Sequence, residues 1–247
     1  MLFRSIMSSR YFLMASTPTV AKSTKENTNY ARLCRLLVDG GTKALRHAFD
    51  TFHPPADLYR DLHVTHHLIL QSLKKRRVLN PTQWGKLYPT TPAAVKSEDF
   101  DITLLMVLLR NICGLTAPVT GWDSLPPASD MSVVGNIARV KFYRNSVYGH
   151  ASQASLDDPT FNTLWQEIST ALVALGVDAA AINKLKTETM EPVGEEHYRE
   201  LLKEWKKDED NIKDKLYKME GRNECFESSG LNKCHSHGIY STLDAVK

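Results

Sequence analysis

Residues 131–151 read MSVVGNIARVKFYRNSVYGHA, and the spacing inside them decides the fold class. Val133, Ile137, Val140, Arg144 and Val147 advance by four, three, four and three, which places them on one face of a helix. Arg144 falls in the middle of that apolar stripe. A buried arginine is costly unless it is paired. On one reading it meets a carboxylate of a neighbouring helix or snorkels outward. On the other it faces an interface or cleft and holds a phosphate bidentately. His150 follows six residues later, about 240° around an unbroken helix from Arg144. Gly149, just before it, can end or kink the helix and let His150 swing back. A histidine of near-neutral pKa suits acid–base work on a phosphodiester. Asn145 adds a polar hand beside Arg144.

Working outward, the same periodicity recurs. Asp130 or Ser132 is placed to cap the helix that runs to Gly149. Upstream, Leu33, Leu36, Leu37, Gly40, Ala44, Ala48 and Phe52 line one face of a helix from Tyr30 to Phe52, weakened at Gly40-Gly41 and stopped by Pro54-Pro55. Residues 56–79 form a second helical stretch. Residues 80–96 and 115–129 are proline-rich and read as loops. Phe100 to Cys113 is apolar nearly all round, which marks a central buried helix. Asp157-Asp158-Pro159 starts a clean amphipathic helix that ends at Gly176. A short helix follows from Asp178 to Met190. The last, Glu195 to Met219, is long and charged, with acid-first pairs Glu195/Arg199, Glu209/Lys213 and Asp214/Lys218 at i,i+4. It is either a packed final helix or a coiled-coil-like link to a partner. No alternating strand pattern is present. The class is all-α: an antiparallel helical bundle with an additional long charged C-terminal helix.

Composition agrees with a globular chain. Of 247 residues, 42% are apolar and 24% charged, which excludes a wholly disordered protein. A net charge of +3 is too near balance to argue for nucleic acid on charge alone. Cys34 and Cys113 lie inside apolar patterns and read as buried thiols, not as a disulfide framework. The longest apolar run, Leu104 to Leu109, is too short to span a membrane. The expected organisation is a disordered leader at 1–27, a helical bundle at 28–176, a helical extension at 177–220 and a disordered tail at 221–247. The leader carries Arg4, Arg10, Lys22 and Lys25 with no acid before Glu26. An intracellular, cytoplasmic protein is expected, with mitochondrial import of that leader as the alternative.

The same residues carry a resemblance. Arg144-Asn145-Ser146-Val147-Tyr148-Gly149-His150 resembles the R-x(4–6)-H signature of the HEPN superfamily in its RN…H form. The runs LLRNICGL, GWDSLPP and VKFYRNSVYGHAS are similar to the HEPN domain of the DAZ-interacting zinc-finger ubiquitin ligase type. The resemblance covers about residues 28–176, with the helices to about 220 as its wider extent. It implies an HEPN-like bundle that pairs as a homodimer and binds RNA. In active members the Arg and His of both protomers line a shared cleft. They cleave RNA without metal, as the 2′-OH attacks the adjacent phosphorus and leaves a 2′,3′-cyclic phosphate. Carried over, His150 moves protons, Arg144 stabilises the charged phosphorane, and Asn145 orients the phosphate or His150. Other members are inactive and only bind. The alternative is therefore a non-catalytic dimerisation or adaptor module in signalling or ubiquitin-related assemblies, with the C-terminal helix recruiting a protein partner. No P-loop and no RING-type cysteine array accompanies the motif.

Three other clusters bear on function. Lys74, Lys75, Arg76 and Arg77 form a basic run at a helix end, either a solvated terminus or a contact for RNA phosphates. His63 and His67 are i,i+4 without an HExxH pattern and, with His66, read as surface or interfacial histidines. Cys225, Cys234, His235 and His237 fit no familiar zinc spacing. No metal and no cofactor are expected.

Overall fold

A computed structural model describes residues 23–91 and 95–228, apart from the side chains of 213–228. The elements are α1 (Lys25–Arg35), a π-helical turn (Leu36–Gly40), α2 (Gly41–Phe52), a short α3 (Leu58–Arg60), a second π-helical turn (Asp61–Thr65) and α4 (His67–Lys75). There follow α5 (Pro81–Leu87), a 3₁₀ turn (Ser97–Asp99), α6 (Ile102–Ile112), α7 (Val133–Gly149), α8 (Asp158–Ala174), α9 (Ala179–Thr187) and α10 (Pro192–Ser228). The described residues contain no strand. The fold is all-α, as the periodicity implies.

The bundle centres on α6, buried at every residue from Ile102 to Leu109. Asp101 caps it by accepting from the Leu104 N–H at 2.8 Å. It lies against α2 and α10, while α7 lies against α8, α10 and α1. Burial follows the predicted stripes: Leu33, Leu36, Leu37 and Ala44 are fully buried on α1, the turn after it and α2, and Ile137, Val140 and Val147 on α7. Phe52 and Val133, at the ends of their stripes, are exposed.

The structure departs from the sequence reading at helix ends and turns. The first helix begins at Lys25, ahead of Tyr30, because Thr24 and Asn27 form a capping box. It does not break at Gly40-Gly41. The chain passes through a π-helical turn there, and the missing side chain lets α8 press close. A Cβ on Gly40 would stand 2.8 Å from Leu172 Cδ1. The expected loop at 80–96 contains α5, capped by Asn80 and Gln83 with Pro81 in its first turn. Ser132, not Asp130, caps α7 by accepting from the Gly135 N–H at 3.0 Å. Gly176, at φ +93°, ends the α8 segment as expected.

α9 and α10, read from the sequence as an extension, lie against the bundle. Leu202 and Trp205 are buried, and α10 runs on to Ser228. Its base is pinned by Glu195, only 2% exposed. That carboxylate accepts from Ser23 Oγ at 2.5 Å and Thr28 Oγ1 at 2.7 Å, and pairs with Arg199 at 3.0 Å. Residues 1–22 and 229–247, which hold most of the expected leader and tail together with Cys234, His235 and His237, lie outside the described residues. No described helix is long and apolar enough to cross a membrane.

Candidate functional site

The stripe on α7 carries Arg144 into the interior, where its side chain is 1% exposed. Its partners come from α10. Nη1 is ion-paired with Glu209 Oε2, and the guanidinium carbon lies 4.8 Å from the centre of the Trp205 ring. Trp205 and Glu209 are one turn apart, so a single face of α10 supplies both contacts. Nη2 donates to Asn145 Oδ1 at 2.7 Å, and Nε is buried without an acceptor. Burial pulls the guanidinium pKa down to about 10, against the opposing charges of Asp210 and Asp123. The group is still charged at neutral pH.

One turn before Arg144, Lys141 is equally buried. Its ammonium reaches Glu209 Oε1 at 2.8 Å and Asp123 Oδ1 at 2.7 Å. The Glu209 carboxylate therefore bridges two cations, one oxygen to each. Asp123 comes from the loop before α7 and is half-exposed. That loop is fastened by buried Trp122, whose ring lies 5.2 Å from the Arg110 guanidinium of α6. The GWDSLPP segment thus delivers a carboxylate to the α7 cation pair. Two positive charges meet two negative ones, which is what makes burial of this cluster tolerable.

His150 has different surroundings. α7 ends at Gly149, and the His150 N–H donates to the Val147 carbonyl at 3.0 Å. The His150 carbonyl accepts from the Ala154 N–H at 2.9 Å, closing a turn toward the start of α8. The N-cap of α8, Asp157, follows this turn, and hydrogen bonds from Thr160 chiefly hold its carboxyl below the usual range. The Gly149 break turns the chain toward α8. Arg144 bonds to Asn145 and Glu209 and makes no bond to His150. The structure joins Arg144 to Asn145, then, and leaves the imidazole on a separate turn.

The basic run sits on another part of the surface. Lys74 and Lys75 end α4, exposed, and Arg77 follows at φ +60°. The Lys74 ammonium lies 4.1 Å from the centre of the Trp84 ring, which stacks on Tyr88 at 4.1 Å and 17°. Leu68, Gln71, Ser72, Lys74, Lys75 and Trp84 line a shallow groove there. The sequence reading misses the aromatic half of this surface because the prolines of 80–96 mark α5 as loop. The Asn80-Pro81-x-Gln83 start signal is nonetheless present in the sequence.

The nearby histidines are engaged rather than gathered. His67 Nδ1 lies 3.0 Å from the Tyr88 hydroxyl and His63 Nε2 3.2 Å from the Leu87 carbonyl. His66 packs edge-on to His53, which bonds Asp61 at 2.9 Å. Among the described residues no three His, Cys, Asp or Glu side chains are placed to hold a metal ion.

A family model described as DZIP3/hRUL138-like HEPN matches residues 55–198. The human protein named E3 ubiquitin-protein ligase DZIP3 is 28% identical over 173 residues, which are 69% of this chain and 14% of that protein. The mouse protein of the same name matches with the same identity and the same shares. The chain therefore spans a small part of the length of the curated relatives it matches. No solved structure matches.

Proposed function

The chain belongs to the DZIP3/hRUL138-like HEPN family, and from that premise we propose that it is an RNA-engaging helical module. In this reading the α7 arginine meets a phosphate, and a dimer of two such modules cleaves RNA without metal. The observation that carries the reading is local. At the C-terminal end of α7 a guanidinium and an amide are joined by one hydrogen bond, and a histidine sits on the turn that ends the helix. In the reaction, a neutral imidazole of His150 removes the 2′-OH proton. The 2′-oxygen bonds to phosphorus, the bond from phosphorus to the 5′-oxygen breaks, and the 5′-oxygen takes a proton from an imidazolium. Arg144 balances the charge on the equatorial oxygens. Lys74, Lys75, Arg76 and Arg77, beside Trp84, extend the contact to flanking phosphates and bases.

A second reading is a non-catalytic adaptor that binds proteins. The burial of Arg144 beneath Trp205 favours it, since an arginine 1% exposed serves the core. One experiment divides the two. Single-stranded RNA is incubated with the purified chain in EDTA, wild type beside His150→Ala, with binding followed separately by fluorescence anisotropy. Cleavage to a 2′,3′-cyclic phosphate by wild type alone supports the nuclease. Binding without cleavage keeps the RNA module and removes the chemistry. Neither binding nor cleavage by a folded protein leaves the adaptor.

A further inference from the structure

We propose that Lys141 and Arg144 form a phosphate subsite kept closed by α10, with the Glu209 carboxylate occupying the place of the phosphate. The ligand class is an RNA phosphodiester, and the inference rests on the RNA reading above. It adds a second phosphate-holding side chain, Lys141, and a gate.

Three observations carry it. First, the two oxygens of one carboxylate are shared between an ammonium and a guanidinium one helical turn apart. Two non-bridging phosphate oxygens make the same demands on those donors. Second, Glu209 leaves Arg144 incompletely used. Nη1 faces the carboxylate and Nη2 faces Asn145, while Nε is buried without an acceptor. A phosphate has oxygens to spare for that donor, and a carboxylate already divided between two cations does not. Third, the charge balance depends on α10. Glu209 is the well-shielded carboxylate shared by both cations, whereas Asp123 and Asp210, the other anions that act on Arg144, are exposed.

α10 is built to part at that end. Its base is fixed by the buried Glu195 network, by the Tyr198 hydroxyl donating to Asp39 Oδ2 at 2.7 Å and by buried Leu202. Beyond Trp205 exposed charge predominates: Lys206 pairs with Asp210 inside the helix and Lys207 and Asp208 are exposed, while partly buried Ile212 and Lys206, 5.8 Å from the Tyr148 ring, keep lighter contacts with the bundle. Glu209, partly buried, is the polar hold of this stretch on α7. An anion that competes for Lys141 and Arg144 releases it, and the helix opens from Trp205 onward with its base in place.

The test uses the full chain. Phenylglyoxal modification of Arg144, mapped by mass spectrometry, is compared between wild type and Glu209→Gln, with and without inorganic phosphate, and affinity for a short single-stranded RNA is measured on the same samples. Expected results are slow modification of wild type, acceleration by about tenfold in Glu209→Gln, suppression of that gain by phosphate, and RNA binding tighter by about tenfold. Lys141→Gln in the Glu209→Gln background should reverse the gain in RNA binding. Arg144 as unreactive in folded Glu209→Gln as in wild type overturns the gate. Fast modification that phosphate does not slow overturns the subsite. Phosphate protection without tighter RNA binding leaves the subsite standing and overturns the RNA reading. Should Glu209→Gln not fold, amide exchange of wild-type residues 205–212 is compared in phosphate and in chloride of equal ionic strength. Faster exchange in phosphate supports the gate, and equal exchange overturns it.

Discussion

Arg144 and Trp205 meet cation to ring, 4.8 Å apart, and the carboxylate one turn beyond Trp205 pairs with the same guanidinium. Removing one partner strands a buried charge. Glu209→Leu is therefore expected to destabilise the fold by about 3–5 kcal/mol. Pairing it with Arg144→Met should recover about 1–3 kcal/mol relative to the sum of the single changes. Urea unfolding of the four proteins of that cycle checks it. Strict additivity means that the ion pair contributes nothing.

The basic end of α4 gives a salt signature. In the RNA reading, Lys74→Ala, Lys75→Ala and Arg76→Ala combined should lower the slope of log affinity against log salt. The drop on a single strand is about 0.7 for each phosphate that is no longer neutralised. Anisotropy titrations across a salt series measure it. An unchanged slope moves the RNA-binding surface away from α4.

Cys34 sets the alkaline limit. Its thiol is wholly buried, and burial pushes its pKa from the ordinary 9.0 up to about 12. Because the folded-state value is raised, the stabilisation is fully present below pH 9 and is lost as pH rises toward 12. In that window stability should fall by about 1.4 kcal/mol per pH unit for this group. Cys113, Tyr88 and Tyr143, each raised to about 12 chiefly by burial, act in the same direction. Unfolding curves at stepped pH should show a shallower decline for Cys34→Ala than for wild type. Parallel declines would exclude the thiol as the cause.

Gly176 is expected to tolerate no side chain. It has φ +93°, and a Cβ there would overlap the His47 ring on α2. Gly176→Ala should cost about 1–3 kcal/mol by strain alone, with the clash added. A wild-type melting temperature for that variant would refute the described turn.

The bundle is legible in the sequence because apolar spacing of three and four reports directly which face is buried. On α7 that rule puts Ile137, Val140, Arg144 and Val147 on one buried face. It also poses the right question about Arg144, whether a carboxylate or a cleft receives it. The carboxylate itself is not legible. Local spacing is all a single sequence offers, and it pairs Glu209 with Lys213 at i,i+4, yet Glu209 reaches across to α7. Lys141 escapes notice for the same reason: its two partners lie in a distant loop and a distant helix. The π-helical turns are also hidden, because they come from packing, as where Leu172 presses on Gly40. α5 is a different case. Its capping signal stands in the sequence, and three nearby prolines outweigh it.

The clasp at Glu195 bears on how the chain is made. Ser23 and the carboxylate it meets are 172 residues apart, and α1 gains its α10 cover only when that carboxylate has left the ribosome. At synthesis rates of about 5–20 residues per second, the first helix waits roughly 9–34 s for its last neighbour. During that interval the side of α1 that α10 will cover faces water or a chaperone. Completion of this domain waits on α10 rather than on its first helix.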